Sequence, residues 1–213
     1  MDDFSETLPV QVNGYRFTRI INKTPRATVY KAVSLKSEDL YSAWVLEPTF
    51  LCDLPVLDHP NILKLYDRFT FENHFVVITE YVAGSLREYM RKRTVSYLER
   101  LEIAKKIIDA VSFLEANHIT NEALTVDSIG MDLYDDPKLY DFSAARFGEG
   151  EDVTPIISEL FGDSLVVKRI THDKRIAVID AEITRLIVME RKKITPRRIF
   201  LPRIDCSKIK YLQ

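Results

Sequence analysis

Residues 57–62 read Leu57-Asp58-His59-Pro60-Asn61-Ile62, and residues 78–86 read Ile78-Thr79-Glu80-Tyr81-Val82-Ala83-Gly84-Ser85-Leu86. Between them, Ile62-Leu63-Lys64-Leu65-Tyr66-Asp67-Arg68-Phe69 and His74-Phe75-Val76-Val77-Ile78-Thr79-Glu80-Tyr81 form a strand pair around the turn Glu72-Asn73. Upstream, Tyr15-Arg16-Phe17-Thr18-Arg19-Ile20 alternates large and polar residues, as a half-buried strand does. Val29-Tyr30-Lys31-Ala32-Val33 and Leu40-Tyr41-Ser42-Ala43-Trp44-Val45-Leu46 read as two more strands, with Lys36-Ser37-Glu38-Asp39 as their turn. Pro48 and Pro55 bracket a stretch that cannot hold a long helix. Five antiparallel strands in this span predict a small sheet lobe.

Downstream the texture changes. Residues 85–93 read as a short helix and 96–117 as a long one, with Leu98, Leu101, Ile108, Val111 and Leu114 near helical spacing. Ser128-Ile129-Gly130-Met131 and Lys138-Leu139-Tyr140 are short extended pieces, and the acidic residues 147–155 are expected to be a loop. Residues 174–193 carry Ile176, Ile179, Ile183, Leu186, Ile187 and Val188 in a helical pattern that Pro196 ends. A β-rich lobe is thus followed by an α-rich lobe, joined near Tyr81-Val82-Ala83-Gly84.

The chain has 213 residues, 46% hydrophobic and 29% charged, enough to bury a core without staples. Cys52 and Cys206 form no ligand pattern and four scattered histidines make no zinc cluster. No apolar run reaches the roughly 20 residues of a membrane span. The acidic start, Met1-Asp2-Asp3-Phe4, lacks the features of a signal peptide, so a cytoplasmic or nuclear location is expected. Only 6 residues are glycine, which leaves few tight phosphate-cradling turns. Charge is uneven: residues 185–213 carry nine cations and two anions. Arg191, Lys192, Lys193, Arg197 and Arg198 form a basic surface in that segment, either a contact for nucleic acid or an acidic partner, or a solvated face paired with the acidic body.

The order of these elements, with His59-Pro60-Asn61-Ile62 between the strands, resembles the eukaryotic protein-kinase superfamily over residues 14–147. The resemblance implies an α+β, two-lobed kinase-like fold: a small antiparallel β lobe plus a truncated helical lobe. It divides the chain into an N-terminal extension (1–13), a β-rich small lobe (14–82) and a helical large lobe (83–213). Thr79 falls at the gatekeeper, and residues 80–82 at the hinge.

Phosphoryl transfer in that family is positioning plus electrostatic stabilisation: a glycine-rich loop on the phosphates, a lysine and its glutamate, an acceptor carboxylate and two metal ligands. Here the three glycine positions fall on Asn22, Thr24 and Ala27, ahead of Val29. Each carries a Cβ, which obstructs close backbone approach, and Pro25 removes a donor. The strand lysine falls on Trp44 and its glutamate partner on Phe50, in a C helix that looks truncated or unwound. Trp44 either fills part of the adenine cleft with its indole or packs in the small lobe.

The catalytic loop, His-Arg-Asp-Leu then Asn in the family, reads Asn121-Glu122-Ala123-Leu124-Thr125-Val126-Asp127-Ser128. The hydroxyl-accepting carboxylate is the methyl of Ala123, and the metal-binding asparagine is Ser128. Tyr140-Asp141-Phe142-Ser143 resembles the Asp-Phe-Gly motif, where Asp141 either coordinates Mg²⁺ or is a polar cap.

The resemblance therefore implies a pseudokinase: a scaffold or allosteric regulator of a protein partner, an active kinase among the candidates, with no catalytic residue and no cofactor expected. One alternative is an atypical serine/threonine kinase with ATP and Mg²⁺, using Asp127, Asp141 or Glu122 in new roles. The other is a binding module acting through the basic segment. ATP binding without turnover stays open, because the hinge backbone of residues 80–82 does not depend on side-chain identity. A degenerate cleft of Asn22, Thr24, Ala27, Val29, Trp44, Thr79, Glu80 and Val82 follows.

Overall fold

The computed structural model describes residues 8–23, 27–46, 57–121, 124–139, 145–147, 152–162 and 176–194. Eleven strands and four helices lie among them. The first six strands, β1 (Val10–Val12), β2 (Tyr15–Lys23), β3 (Ala27–Ser34), β4 (Leu40–Leu46), β5 (Leu65–Phe71) and β6 (His74–Glu80), form one antiparallel sheet in the order β1-β2-β3-β4-β6-β5. This is one strand more than the five expected: β1 lies within residues 1–13 and pairs Val10 with Phe17 and Val12 with Tyr15.

The turns explain how so few glycines suffice. Asn13 and Gly14 take φ of 45° and 83°, and Glu72 and Asn73 take 45° and 61°. Two successive positive φ angles match the right-handed twist of flanking strands in a tight hairpin, and asparagine tolerates that region better than most residues.

Side-chain alternation gives the sheet two faces. Phe17, Tyr30, Ala32, Ala43, Val45, Val76 and Ile78 bury one of them. The sheet curls enough for Tyr15 of β2 to stack on Phe69 of β5, with ring centroids 6.4 Å apart. β4 has neighbours on both sides, and Ser42, Ala43, Trp44 and Val45 are all buried.

The second lobe begins with β7 (Gly84–Ser85), α1 (Leu86–Lys92) and α2 (Tyr97–Ala116). Ser85 caps α1 by accepting from the Glu88 N–H. Ser96 and Glu99 close a reciprocal capping box on α2, which satisfies two donors the first turn would leave open. The helix ends where His118 turns to φ 55°. β8 (Ile119–Asn121), β9 (Ile129–Met131), β10 (Pro137–Leu139), β11 (Ala145–Phe147), α3 (Thr154–Phe161) and α4 (Ile176–Ile194) complete the described elements.

Ile176, Ile179, Ile183 and Ile187 of α4 and Ile156, Ile157 and Leu160 of α3 share one core with Leu101, Ile107, Ile108, Val111 and Leu114 of α2. The loop expected over residues 147–155 is corrected at both ends. Phe147 closes a strand paired with β8, and Thr154 opens a helix with Pro155 in its first turn. Proline is at home there, because that N–H has no intrahelical partner to lose.

The short segment before β5 joins the two lobes. Ile62 bridges to Leu139, the Leu63 N–H donates to the Leu139 carbonyl at 2.9 Å, and the Leu139 N–H donates to the Asn61 carbonyl at 2.8 Å. The buried Asn61 amide adds a bond to the Pro137 carbonyl at 2.9 Å. The strand expected to begin at Ile62 begins instead at Leu65, because residues 61–63 spend their backbone groups on β10. On the hinge side, Ala83 N–H donates to the Met131 carbonyl at 2.8 Å, and Lys138 Nζ reaches Glu80 Oε2 at 3.0 Å. The architecture is a curled antiparallel lobe set on a short helical lobe.

Candidate functional site

The second face of the sheet looks toward the connection between the lobes. Ala27, Val29, Trp44, Leu63 and Val82 pack there as one buried cluster, with Leu46 and Val77 against it. Trp44, only 5% exposed, stands on β4 opposite Val29 of β3 and Val77 of β6. An indole N–H buried this way needs an acceptor, and Trp44 Nε1 donates to Thr79 Oγ1 at 3.1 Å. Thr79 Oγ1 lies 3.1 Å from the Glu80 carbonyl and 3.4 Å from the Ser42 carbonyl, so its one proton has Glu80 as the nearer acceptor. Beside it Ser42, fully buried, accepts the Val82 N–H on its Oγ at 3.1 Å.

Across the connection, residues 124–128 are tied up locally. Ser128 Oγ accepts from the Thr125 N–H at 2.8 Å and donates to the Thr125 carbonyl at 2.8 Å. Arg87 Nε sits 2.8 and 2.9 Å from the two carboxylate oxygens of Asp127, and its Nη2 lies 2.9 Å from Glu159 Oε2. One guanidinium thus holds the start of α1, the 124–128 loop and α3 together. Among the described residues no group of three or more His, Cys, Asp or Glu could hold a metal ion.

The model of the protein tyrosine and serine/threonine kinase family matches residues 25–154, more than half of the chain. The chain belongs to this kinase family. A probable serine/threonine-protein kinase, the KIN1 homolog of Enterocytozoon bieneusi, is 27% identical over 157 residues, covering 67% of this chain and 26% of that protein. The tyrosine-protein kinase abl-1 of Caenorhabditis elegans is 33% identical over 95 residues, 43% of this chain and 8% of that one. A probable myosin light chain kinase of Dictyostelium discoideum is 27% identical over 144 residues, 63% of this chain and 45% of that one. The aligned parts span less than half the length of each of these relatives.

Set on the kinase family, the expected positions fall as follows. Ala27, Val29, Trp44, Thr79, Glu80 and Val82 come together around one cluster and one hydrogen-bond chain. Asn22 lies at the far end of β2, where its Oδ1 accepts from the Lys23 N–H at 2.8 Å. Thr24, Phe50, Glu122, Ala123, Asp141 and Phe142 lie outside the described residues. So does the 48–55 stretch expected to replace the C helix. Ser42 was not among the expected cleft residues. Its signal was a lone hydroxyl inside the buried apolar run of a central kinase strand.

Of the basic surface, Arg191 pairs with Glu102 of α2 at 2.7 Å and Lys193 with Glu190 at 2.8 Å, while Lys192 is exposed. Arg197 and Arg198 lie outside the described residues. No helix among the described residues is long and apolar enough to cross a membrane.

The histidine of the lobe-joining turn makes a pH prediction. His59 Nδ1 accepts the Asn61 N–H at 3.1 Å, and the ring lies 5.1 Å from that of Phe113. Burial lowers its pKa below the ordinary 6.5; the Lys138 cation also lowers it, and Asp109 opposes. The unfolded chain then binds the proton more tightly than the fold does. Stability is therefore complete above the ordinary value and falls as pH drops below 6.5, until the folded ring itself protonates. The urea midpoint is expected to be lower at mildly acidic pH than at neutral pH, with a smaller drop in His59→Gln. An equal drop in that variant would place the proton elsewhere.

Proposed function

We propose that this kinase-family chain is catalytically inactive and works as a scaffold or allosteric regulator of a protein partner, an active kinase among the candidates. The observation that carries the reading is Trp44. Where the family's strand lysine is expected, a buried indole donates its N–H to Thr79. An indole is neutral and cannot take a phosphate's charge as an ammonium does.

Other residues support the same reading. The resemblance puts Ala123 where the hydroxyl-accepting carboxylate is needed. The Ser128 hydroxyl, at the metal-binding asparagine, spends both its bonds on Thr125. Asp127, one of the replacement carboxylates, is held by Arg87. Each missing electrostatic or acid–base group removes about 10²- to 10⁴-fold in rate, and several together leave little even without additivity. The division into a small lobe (14–82) and a large lobe (83–213) belongs to this proposal, since a regulator acts by presenting lobe surfaces.

Radiolabelled ATP with generic protein substrates tests the reading. No incorporation above that of an Asp141→Ala variant is expected. Incorporation that Asp141→Ala abolishes would make the chain an atypical kinase.

A further inference from the structure

An inactive kinase fold can still hold a nucleotide, so the hinge poses a separate question. We infer that this chain's purine site is closed from within: Ser42 takes the hinge donor, Thr79 takes one lone pair of the hinge acceptor, and the Trp44 ring fills the space beside them. The resemblance places ATP's adenine on the backbone groups of residues 80–82, and a flat heteroaromatic ring needs at least one outward donor and one outward acceptor there. The Val82 N–H instead ends on Ser42 Oγ at 3.1 Å. The Glu80 carbonyl receives the Thr79 hydroxyl at 3.1 Å, and that hydroxyl is oriented by the Trp44 indole N–H, also at 3.1 Å. Glu80 is further fixed by its side chain, whose Oε1 accepts from the Lys64 N–H at 2.8 Å and whose Oε2 meets Lys138.

The Val82–Ser42 and Trp44–Thr79 bonds are buried, and the Thr79–Glu80 bond is part-buried: Ser42 is 0% exposed, Thr79 5% and Val82 3%. A buried donor that already has its partner gains nothing from a ligand that only replaces that partner. The indole shares one buried cluster with Val29, expected over the face of a purine, and with the hinge residue Val82, so ring and ligand compete for the same volume. The residues present therefore do not fit ATP. The hinge groups a purine would use are met from within by the chain's own side chains. This inference deepens the non-catalytic reading.

Thermal shift with ATP, ADP and adenosine at millimolar concentration, with and without Mg²⁺, tests it, alongside amide hydrogen exchange at Val82. The unmodified chain is expected to show no shift and a protected Val82 amide. In Ser42→Ala that amide is expected to exchange several-fold to about tenfold faster, as one lost hydrogen bond allows. The double variant Ser42→Ala with Trp44→Leu is expected to gain an adenosine-dependent shift. A nucleotide shift in the unmodified chain would overturn the inference, as would unchanged Val82 exchange in Ser42→Ala, or a folded double variant blind to adenosine. If the double variant does not fold, the exchange comparison decides alone. Nucleotide binding without phosphate transfer would sink this inference and spare the inactive reading, whereas phosphate transfer would sink both.

Discussion

Replacing Trp44 with alanine is expected to lower the unfolding free energy by about 3–5 kcal/mol, the usual cost of deleting a large buried aromatic side chain. The indole is 5% exposed and joins residues from three places in the chain: Ala27 and Val29 on β3, Leu63 in the lobe-joining segment, and Val82 in the hinge. Strands β3 and β6 flank it on both sides, so backbone collapse into the void is restricted. Urea denaturation followed by far-UV circular dichroism measures the loss. Trp44→Phe keeps an aromatic ring but removes the N–H bond to Thr79, and is expected to cost about 1 kcal/mol for that bond in addition to the packing lost with the smaller ring. A cost below about 1 kcal/mol for the alanine variant would mean the cluster is not a packed unit, and the closed-cleft inference would weaken with it.

Ile108→Ala in the middle of α2 is expected to cost about 2–5 kcal/mol. Ile108 is fully buried in the core that α2 shares with α3 and α4. The chain's single tryptophan reports the small lobe, while the described helices, which dominate far-UV dichroism, all lie in the large one. The backbone bonds of residues 61–63 to Leu139 and the Glu80–Lys138 ion pair couple the lobes. Both signals are therefore expected to shift together in Ile108→Ala. An unmoved Trp44 emission transition beside a shifted helical one would show that the lobes unfold separately.

Most elements were legible because local chemistry decided them. The apolar spacing of Leu98, Leu101, Ile108, Val111 and Leu114 announced α2, and the isoleucines at 176, 179, 183 and 187 announced one face of α4. The strands β2 to β6 followed from runs of β-branched and aromatic residues between turn residues. Strand β1 was missed although Asn13-Gly14 is the strongest short hairpin signal, because three residues are too few for alternation to show. α3 was missed because acidic residues precede it; Pro155 followed by Ile156, Ile157 and Leu160 was the cue.

The cleft divides in the same way. That Trp44 stands where a lysine is expected is a matter of sequence order alone, as is the absence of loop glycines and the methyl of Ala123. By itself the sequence therefore determined the two-lobed kinase-like order, and its resemblance to the family carries the expectation that the reactive side chains are replaced. Where the indole points, and what the hinge bonds to, depended on the pairing of β4 with β6, which brings Ser42 beside residues 37 and 40 positions further along the chain. Hydrogen bonds of that reach have no local signature, because the hydroxyl of Ser42 is equally content with water or with any nearby donor. Only the packed sheet, by burying that hydroxyl and the Val82 N–H together, left each with the other as its partner.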